Sequence, residues 1–309
     1  MTMITNIVFS RNRPLQLAGY LESLQRHFPM QSMNVVIMYR PDRFEDEYQA
    51  VFRDYPQCGV IAETDFRTDL LNFLQQTTTE YTLFGVDDVV FFDSVDLTLV
   101  DSVFKREPNS MFGFSLRLSP ESVVRDGDKP ERLILGAETV HRVDWTKACG
   151  RNARYPFELC ATLYRTDLVR RILTSAFKRN FVIERLLAPN CALASAFVPR
   201  KFRRKILKRF GYFFSPNTLE SWNCRWCRRH ANTLPRFLYF QRQCAAALQV
   251  NTVNVTGANA GHGLNQCPIG ALAERYRQGY RLDITAIEEN RPTRIHGGSE
   301  HFILKRIKD

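Results

Sequence analysis

Two adjacent carboxylates, Asp87 and Asp88, directly follow an apolar segment that runs from Tyr81 to Val86. Neighbouring carboxylates repel each other, and this repulsion costs stability unless a cation joins them. Carboxylate oxygens suit Mg²⁺ or Mn²⁺, which keep several waters and bridge to the phosphates of a substrate. The pair therefore indicates a cation site for a phosphorylated ligand, and the alternative is a solvated turn that carries two acids.

Two arginines follow the first apolar segment, which ends at Ser10. Arg11 and Arg13 precede a helical pattern that opens with Pro14, a residue favoured in the first turn of a helix. Backbone N–H groups at a helix start face an anion, and two guanidinium groups can clamp a diphosphate. The alternative is a loop with two surface arginines.

Asp65 closes the third apolar segment and precedes another helical pattern. Such an acid either caps the helix or accepts a hydrogen bond from a nucleobase or a ribose. The sequence has no Gly-x-Gly-x-x-Gly motif and no Walker-type lysine loop. This argues against a dinucleotide-binding Rossmann domain and against a P-loop NTPase.

The elements that position these residues alternate between strand and helix patterns. Strands are predicted at 6–10, 35–39, 58–62, 81–86 and 111–118, and helices at 15–28, 48–55, 66–76, 166–177, 241–248 and 270–279. This order predicts an α/β fold with a mostly parallel central sheet flanked by helices. Ligands bind at the carboxyl ends of such strands, so the arginines, Asp65 and the acid pair are expected at one edge.

Composition narrows the class of protein. The 309 residues are 44% hydrophobic and 24% charged, which is ordinary for a globular protein. No apolar run approaches the ~20 residues of a spanning helix. The eight cysteines are too few for a disulfide framework and favour reduced thiols. No signal peptide precedes the first strand, so we expect a cytoplasmic protein. Residues 1–5 resemble an expression-vector leader and are left out of the predicted fold.

A formal net charge of +11 attracts anions, whether nucleic acid, acidic lipid headgroups or a phosphorylated substrate. A basic nucleic-acid-binding protein is one alternative function, but the aromatic residues do not alternate with Lys and Arg as stacking platforms require, so we expect no nucleic acid. The basic run from Arg200 to Arg209, followed by aromatics up to Phe214, is either a solvated helix face or a peripheral contact with the inner membrane surface.

Several of these motifs together resemble the GT-A glycosyltransferases, notably family-2-like bacterial enzymes. The likeness lies in Ile-Val-Phe-Ser-Arg-Asn-Arg-Pro at 7–14, in 80–91 around the acid pair, and in segments 113–118, 155–165, 215–220 and 250–254. It implies one GT-A-like domain over 6–309, with a nucleotide-binding half at 6–118. The acceptor-side half is then 119–309, with a basic helical insertion near 182–215.

The resemblance also implies roles for individual residues. Ser10, Arg11, Arg13, Asp65 and Asp87 would hold a nucleotide-diphosphate sugar. Asp88 would ligate Mn²⁺ or Mg²⁺, and a late histidine would be a further ligand, with His296 preferred over His262. A carboxylate base would take the proton of the acceptor hydroxyl in an inverting transfer, with Glu220 as first candidate and Glu158 as second.

The sequence departs from the family pattern at two places. Val86 stands where many relatives have a third acid, and Leu159-Cys160-Ala161 stands where Leu-Asp-Gly is expected. These departures keep a non-catalytic nucleotide-sugar-binding protein as an alternative. A nucleotidyltransferase ranks lower because its Gly-rich loop is absent. Cys224 and Cys227 lack a second close pair, which disfavours structural zinc.

Overall fold

The computed structural model describes residues 3–40, 42–135, 138–175, 199, 202, 205–207, 212–230, 233–251 and 267–307. The strands are β1 (Ile4–Arg11), β2 (Met33–Arg40), β3 (Gly59–Ala62), β4 (Tyr81–Val86), β5 (Val89–Phe91), β6 (Met111–Ser115), β7 (Glu131–Leu135), β8 (Glu138–Asp144), β9 (Thr162–Arg165), β10 (Arg236–Phe240), β11 (Ala245–Leu248), β12 (Tyr280–Leu282), β13 (His296–Gly297) and β14 (Leu304–Arg306). The helices are α1 (Pro14–His27), α2 (Glu45–Asp54), α3 (Phe66–Gln76), α4 (Leu97–Arg106), α5 (Pro120–Arg125), α6 (Thr166–Ser175), α7 (Pro216–His230), α8 (Ile269–Arg277) and α9 (Ile284–Glu289).

A large central sheet has the strand order β3-β2-β1-β4-β9-β6-β10-β8-β7 across the described residues. Strands β1 to β4, β6, β7 and β10 run in one direction, and β8 and β9 run in the other. Smaller sheets join β5, β11 and β13, and β12 with β14. The predicted α/β class with a mostly parallel sheet is confirmed.

Strand β1 shows why this sheet is central. It lies between β2 and β4 and is buried along almost its whole length. Successive side chains of a strand point to opposite faces. Accordingly, Ile4 and Val8 belong to one apolar cluster, whereas Ile7 and Phe9 belong to another. Burial on both faces is typical of a parallel strand covered by helices on each side.

Two sequence predictions of local structure were wrong. Residues 245–248 of the helix expected at 241–248 instead form strand β11, whose alanines are fully buried between β5 and β13. Tertiary burial outweighs the helix propensity of alanine there. The first strand begins at Ile4, which pairs with Met33, so residues 4 and 5 belong to the sheet and not to a disposable leader.

Some predictions lie outside the described residues. These are most of the basic insertion near 182–215, His262 and the end of the helix predicted at 166–177. Of the aromatic residues proposed for a membrane contact, Tyr212 and Phe213 are buried in the protein, which makes them inaccessible to a lipid surface. Within the described part of the chain, no helix has the length and apolar character needed to cross a membrane.

Candidate active site

The acid pair lies where the carboxyl ends of β1 and β4 meet. Asp87 and Asp88 form the turn between β4 and β5. The Oδ2 atom of Asp87 accepts hydrogen bonds from Ser10 Oγ at 2.9 Å and from the backbone N–H of Arg11 at 3.2 Å. Because β1 and β4 are neighbouring parallel strands, residues 77 positions apart in sequence come together at this edge.

The cation that joins the two carboxylates in this structure is the guanidinium group of Arg13. Its Nη1 atom lies 3.0 Å from Asp87 Oδ1 and 3.1 Å from Asp88 Oδ2, and its Nη2 atom donates to the carbonyl of Asn251 at 2.5 Å. The Arg13 side chain is only 8% exposed. Arg13 is therefore directed onto the acids, in a different contact from the expected diphosphate clamp.

Burial acts on the protonation of Asp87 and of Arg13. Desolvation raises the pKa of Asp87 to about 6; the positive charge of Arg13 opposes this rise, and the negative charge of Asp88 adds to it. Desolvation also acts to lower the pKa of Arg13, but Asp87 and Asp88 together hold that pKa above its ordinary value. The guanidinium thus stays charged beside at least one carboxylate.

Asp88 is the more accessible acid, and His296 stands near it. The Asp88 side chain is 15% exposed, and its Oδ2 atom contacts Arg13. Its carbonyl accepts from the backbone N–H of Leu248 in β11, the strand that pairs Ala247 with His296 in β13. Crowding by protein atoms, followed by the charge of Arg117, lowers the pKa of the exposed His296, and Asp88 partly restores it. A neutral imidazole of this kind can ligate a metal.

These residues suit a divalent cation that takes most of its ligands from outside the protein. Among the residues that the structure describes, no group of three or more His, Cys, Asp or Glu side chains could hold a metal ion. Mg²⁺-type sites commonly use one or two carboxylates and complete the shell with waters and substrate phosphates. Asp88 fits that pattern as the single carboxylate, and the His296 imidazole would be an added nitrogen ligand, whereas both oxygens of Asp87 already have partners.

A second cluster of charged side chains lies at the carboxyl end of β6. Arg117 pairs with Glu158 Oε2, and the hydroxyl of Thr162 donates to Glu158 Oε1. Burial acts to lower the pKa of Arg117, but the charge of Glu158 overcomes it and keeps the guanidinium protonated. Both oxygens of Glu158 are thus engaged by the protein. Arg117 was missed as a site residue because the sequence placed it inside a strand predicted at 111–118, whereas β6 ends at Ser115.

Glu220 projects from α7 to the same region. Its Oε1 atom accepts the backbone N–H of Leu159 at 2.9 Å. Burial raises its pKa to about 7, the Leu159 hydrogen bond opposes that rise, the charge of Glu158 adds to it, and Arg117 opposes it. A carboxyl group with a pKa near neutrality can act as a general base.

The pKa of the Cys160 thiol responds to charges in both clusters. Burial raises the pKa of its thiol, Arg117 opposes the rise, and the charges of Glu220, Glu158 and Asp88 add to it. The thiol therefore lies within electrostatic range of both clusters, at the place where the sequence resemblance expects an aspartate. The next residue, Ala161, has a φ of +56°, a left-handed conformation that favours the glycine expected there.

Arg11 and Asp65 lie at the same edge of the sheet, on its β2–β3 side. The Nε atom of Arg11 lies 2.5 Å from Asp42 Oδ2, and the arginine side chain is 40% exposed. Asp65 caps α3 by accepting the backbone N–H of Thr68 at 2.9 Å, and it also accepts the hydroxyl of Tyr212 at 3.0 Å. The structure thus gives Asp65 a capping role.

One comparison with known proteins finds sequence similarity to a glycosyltransferase. No family model matches the chain. The chain is 25% identical over 205 residues to "Bifunctional glycosyltransferase pgtA" of Dictyostelium discoideum, a match that covers 60% of this chain and 26% of that protein. The resemblance drawn from the motifs thus extends to a curated glycosyltransferase, but the chain spans about a quarter of that relative's length.

Solved structures are similar only at a low level. S. aureus TarS 1-349 in complex with UDP-GlcNAc shares 15% identity and a TM-score of 0.38, over 56% of this chain and 47% of that one. The mannosyltransferase PcManGT from Pyrobaculum calidifontis, in complex with GDP-Man and Mn²⁺, shares 13% identity and a TM-score of 0.36, over 74% and 70%. At these scores the likeness carries no argument about fold or ligand.

Proposed function

We propose that this chain is a GT-A-like glycosyltransferase that moves a sugar from a nucleotide-diphosphate donor to a hydroxyl acceptor. The observation that carries the proposal is that two clusters of charged side chains lie at the same edge of the sheet. One is a buried acid pair suited to a cation and a diphosphate, and the other contains a carboxyl with a pKa near 7. The sequence similarity to a glycosyltransferase supports the same reaction class.

On the donor side, we assign the diphosphate to the region of Asp88 and His296. These two residues would hold Mn²⁺ or Mg²⁺, and the cation would supply charge neutralisation to the departing diphosphate. Asp87 is fixed by Ser10 and Arg13, so its role is to keep the acid pair oriented. Arg11 is exposed enough to contact the nucleotide. Asp65, which caps α3 and accepts the Tyr212 hydroxyl, would contact the base or ribose through its remaining lone pairs.

On the acceptor side, Glu220 is favoured over Glu158 as the base. Glu158 is neutralised by Arg117 and has both oxygens engaged. In an inverting transfer, the acceptor oxygen forms a bond to the anomeric carbon while the bond from that carbon to the diphosphate oxygen breaks. The acceptor proton passes to Glu220, and the nucleoside diphosphate leaves with the bonding electrons.

We propose that the acceptor hydroxyl enters beside Glu158, at a cavity of about 10 Å³ that has room for about one water. Its lining includes Arg117, Asn152, Tyr155, Glu158 and Phe237. The cavity has no room for a whole sugar, and its polar lining suits a single hydroxyl group. We further propose that 6–309 acts as one domain, with the donor half at 6–118 and the acceptor half at 119–309. A cytoplasmic location is supported by the described cysteines, which are free thiols.

Calorimetry with UDP, GDP and their sugars, with and without Mn²⁺, tests the donor assignment. We expect Mn²⁺-dependent binding of one nucleotide class, and its loss in Asp88→Asn. The matched control is Asp54→Asn, which removes an exposed acid on α2. Unchanged binding in Asp88→Asn would remove the metal role of that residue, and no binding by the wild type to any nucleotide would end the proposal.

A non-catalytic nucleotide-sugar-binding protein is the second candidate. It is favoured by Cys160, which stands where the resemblance expects an acid. The two functions separate when donor consumption is measured with purified protein and a mixture of sugar acceptors. Donor binding without release of nucleoside diphosphate, and with no difference between wild type and Glu220→Gln, would favour the second candidate.

A further inference from the structure

The outer face of helix α7 carries an arrangement that the proposed reaction does not use. The helix buries Leu219 and Cys227 against the protein. On its outward side, Trp222, Arg225, Trp226 and Arg229 are spaced three and four residues apart, which places them along one side of the helix. We name these four residues the tryptophan–arginine stripe. Both arginines are exposed, and both indoles are half-buried.

The positive charge of this face is uncompensated among the described residues. Among the residues that the structure describes, no acid forms an ion pair with Arg225, Arg228 or Arg229. The acid of the helix, Glu220, is directed inward, where it accepts the backbone N–H of Leu159. The face therefore presents part of the chain's formal net charge of +11 and attracts a negatively charged partner.

The geometry of the indoles distinguishes between anionic partners. The guanidinium of Arg225 lies 5.6 Å from the ring centre of Trp222, and the ring of His230 stacks on Trp226 at 4.7 Å and 20°. Arg225 thus covers one face of the half-buried Trp222, and the half-buried Trp226 has His230 on one face and also packs against the apolar core. A nucleobase needs a free aromatic face on which to stack. Indole edges flanked by arginines suit the headgroup layer of an anionic bilayer instead.

We infer that the tryptophan–arginine stripe docks the protein on an anionic lipid surface. This contact is separate from the one expected at 200–214, and it does not depend on the proposed reaction. Near an anionic membrane each arginine strengthens binding roughly fivefold. Loss of Arg225 and Arg229 together is therefore expected to weaken binding about 30-fold.

Cosedimentation with phosphatidylcholine vesicles, with and without phosphatidylglycerol, measures this contact. The full chain should bind only the anionic vesicles. The double variant Arg225→Gln/Arg229→Gln should bind about 30-fold more weakly. The control double variant Arg53→Gln/Arg106→Gln removes the same charge from exposed positions on α2 and α4 and should bind like the wild type.

Tryptophan fluorescence locates the contact. The chain has three tryptophans, and the third, Trp145, is buried. Brominated anionic vesicles should quench the wild type, and this quenching should vanish in Trp222→Phe/Trp226→Phe. Equal weakening by the two arginine double variants would overturn the inference, as would absent quenching or tighter binding to single-stranded RNA than to anionic vesicles.

Discussion

Replacement of Glu220 by glutamine should make the protein more stable and less active, with both effects set by pH. The ordinary pKa of this carboxyl is 4.5, and burial raises it to about 7. A difference of one in pKa corresponds to ~1.4 kcal/mol, so ionising Glu220 in the folded state costs about 3 kcal/mol above pH 7.

The sign of the effect follows from proton binding. Between pH 4.5 and about 7 the folded state keeps the proton on Glu220 while the unfolded state has lost it. The stability contributed by this proton is complete below pH 4.5 and lost as the pH rises towards 7. Glu220→Gln should match the wild type at pH 4.5 and exceed it by about 3 kcal/mol at pH 8.

Urea unfolding across pH 4.5 to 8 measures the difference in the free energy of unfolding between the two proteins. The control is Glu138→Gln, an exposed acid on β8, which should show no such pH-dependent difference. Transfer in Glu220→Gln should fall roughly 10²–10⁴-fold, with donor binding kept. A stability gain with full activity would refute Glu220 as the base, and a pH-independent stability difference would refute its raised pKa.

Three further predictions concern the neighbouring residues. Ala161→Gly should raise the free energy of unfolding by about 1 kcal/mol, because glycine adopts the positive φ without strain. Cys160→Asp should strengthen Mn²⁺ binding in calorimetry, because it adds a carboxylate within range of Asp88. Arg13→Met should destabilise the fold by about 3–5 kcal/mol at pH 8, and less at pH 5, where Asp87 takes up a proton.

Matched variants sharpen these three measurements. Ala153→Gly, at a buried alanine without a positive φ, should destabilise the protein. Cys149→Asp, at an exposed cysteine, should leave Mn²⁺ binding unchanged. Arg53→Met, at an exposed arginine, should leave stability within about 0.5 kcal/mol. A lower free energy of unfolding in Ala161→Gly would contradict the backbone strain assigned to Ala161. Wild-type stability of Arg13→Met would contradict the contribution of the Arg13 ion pairs.

Much of the donor side could be predicted from sequence because it depends on local pattern. Strands with continuous apolar residues and helices with apolar stripes were assigned within a few residues for β1, β2, β4 and α3. The rule that ligands bind at the carboxyl ends of parallel strands then brought Ser10 and Asp87 to one edge. Segment 245–248 was misassigned because burial between two strands, which local propensity does not report, decided its conformation.

The sequence by itself determined the α/β class, the edge where the acids lie and the chemistry of each candidate side chain. Only the tertiary structure decided which charges meet: Arg13 bridges the two acids, Arg117 neutralises Glu158, and Glu220 stays without an ion-pair partner among the described residues. The physical reason is that pairing and desolvation depend on distances of a few ångströms between segments far apart in the chain. Residue types and spacing determine which chemistry a side chain can perform, whereas burial and neighbouring charges determine its protonation state.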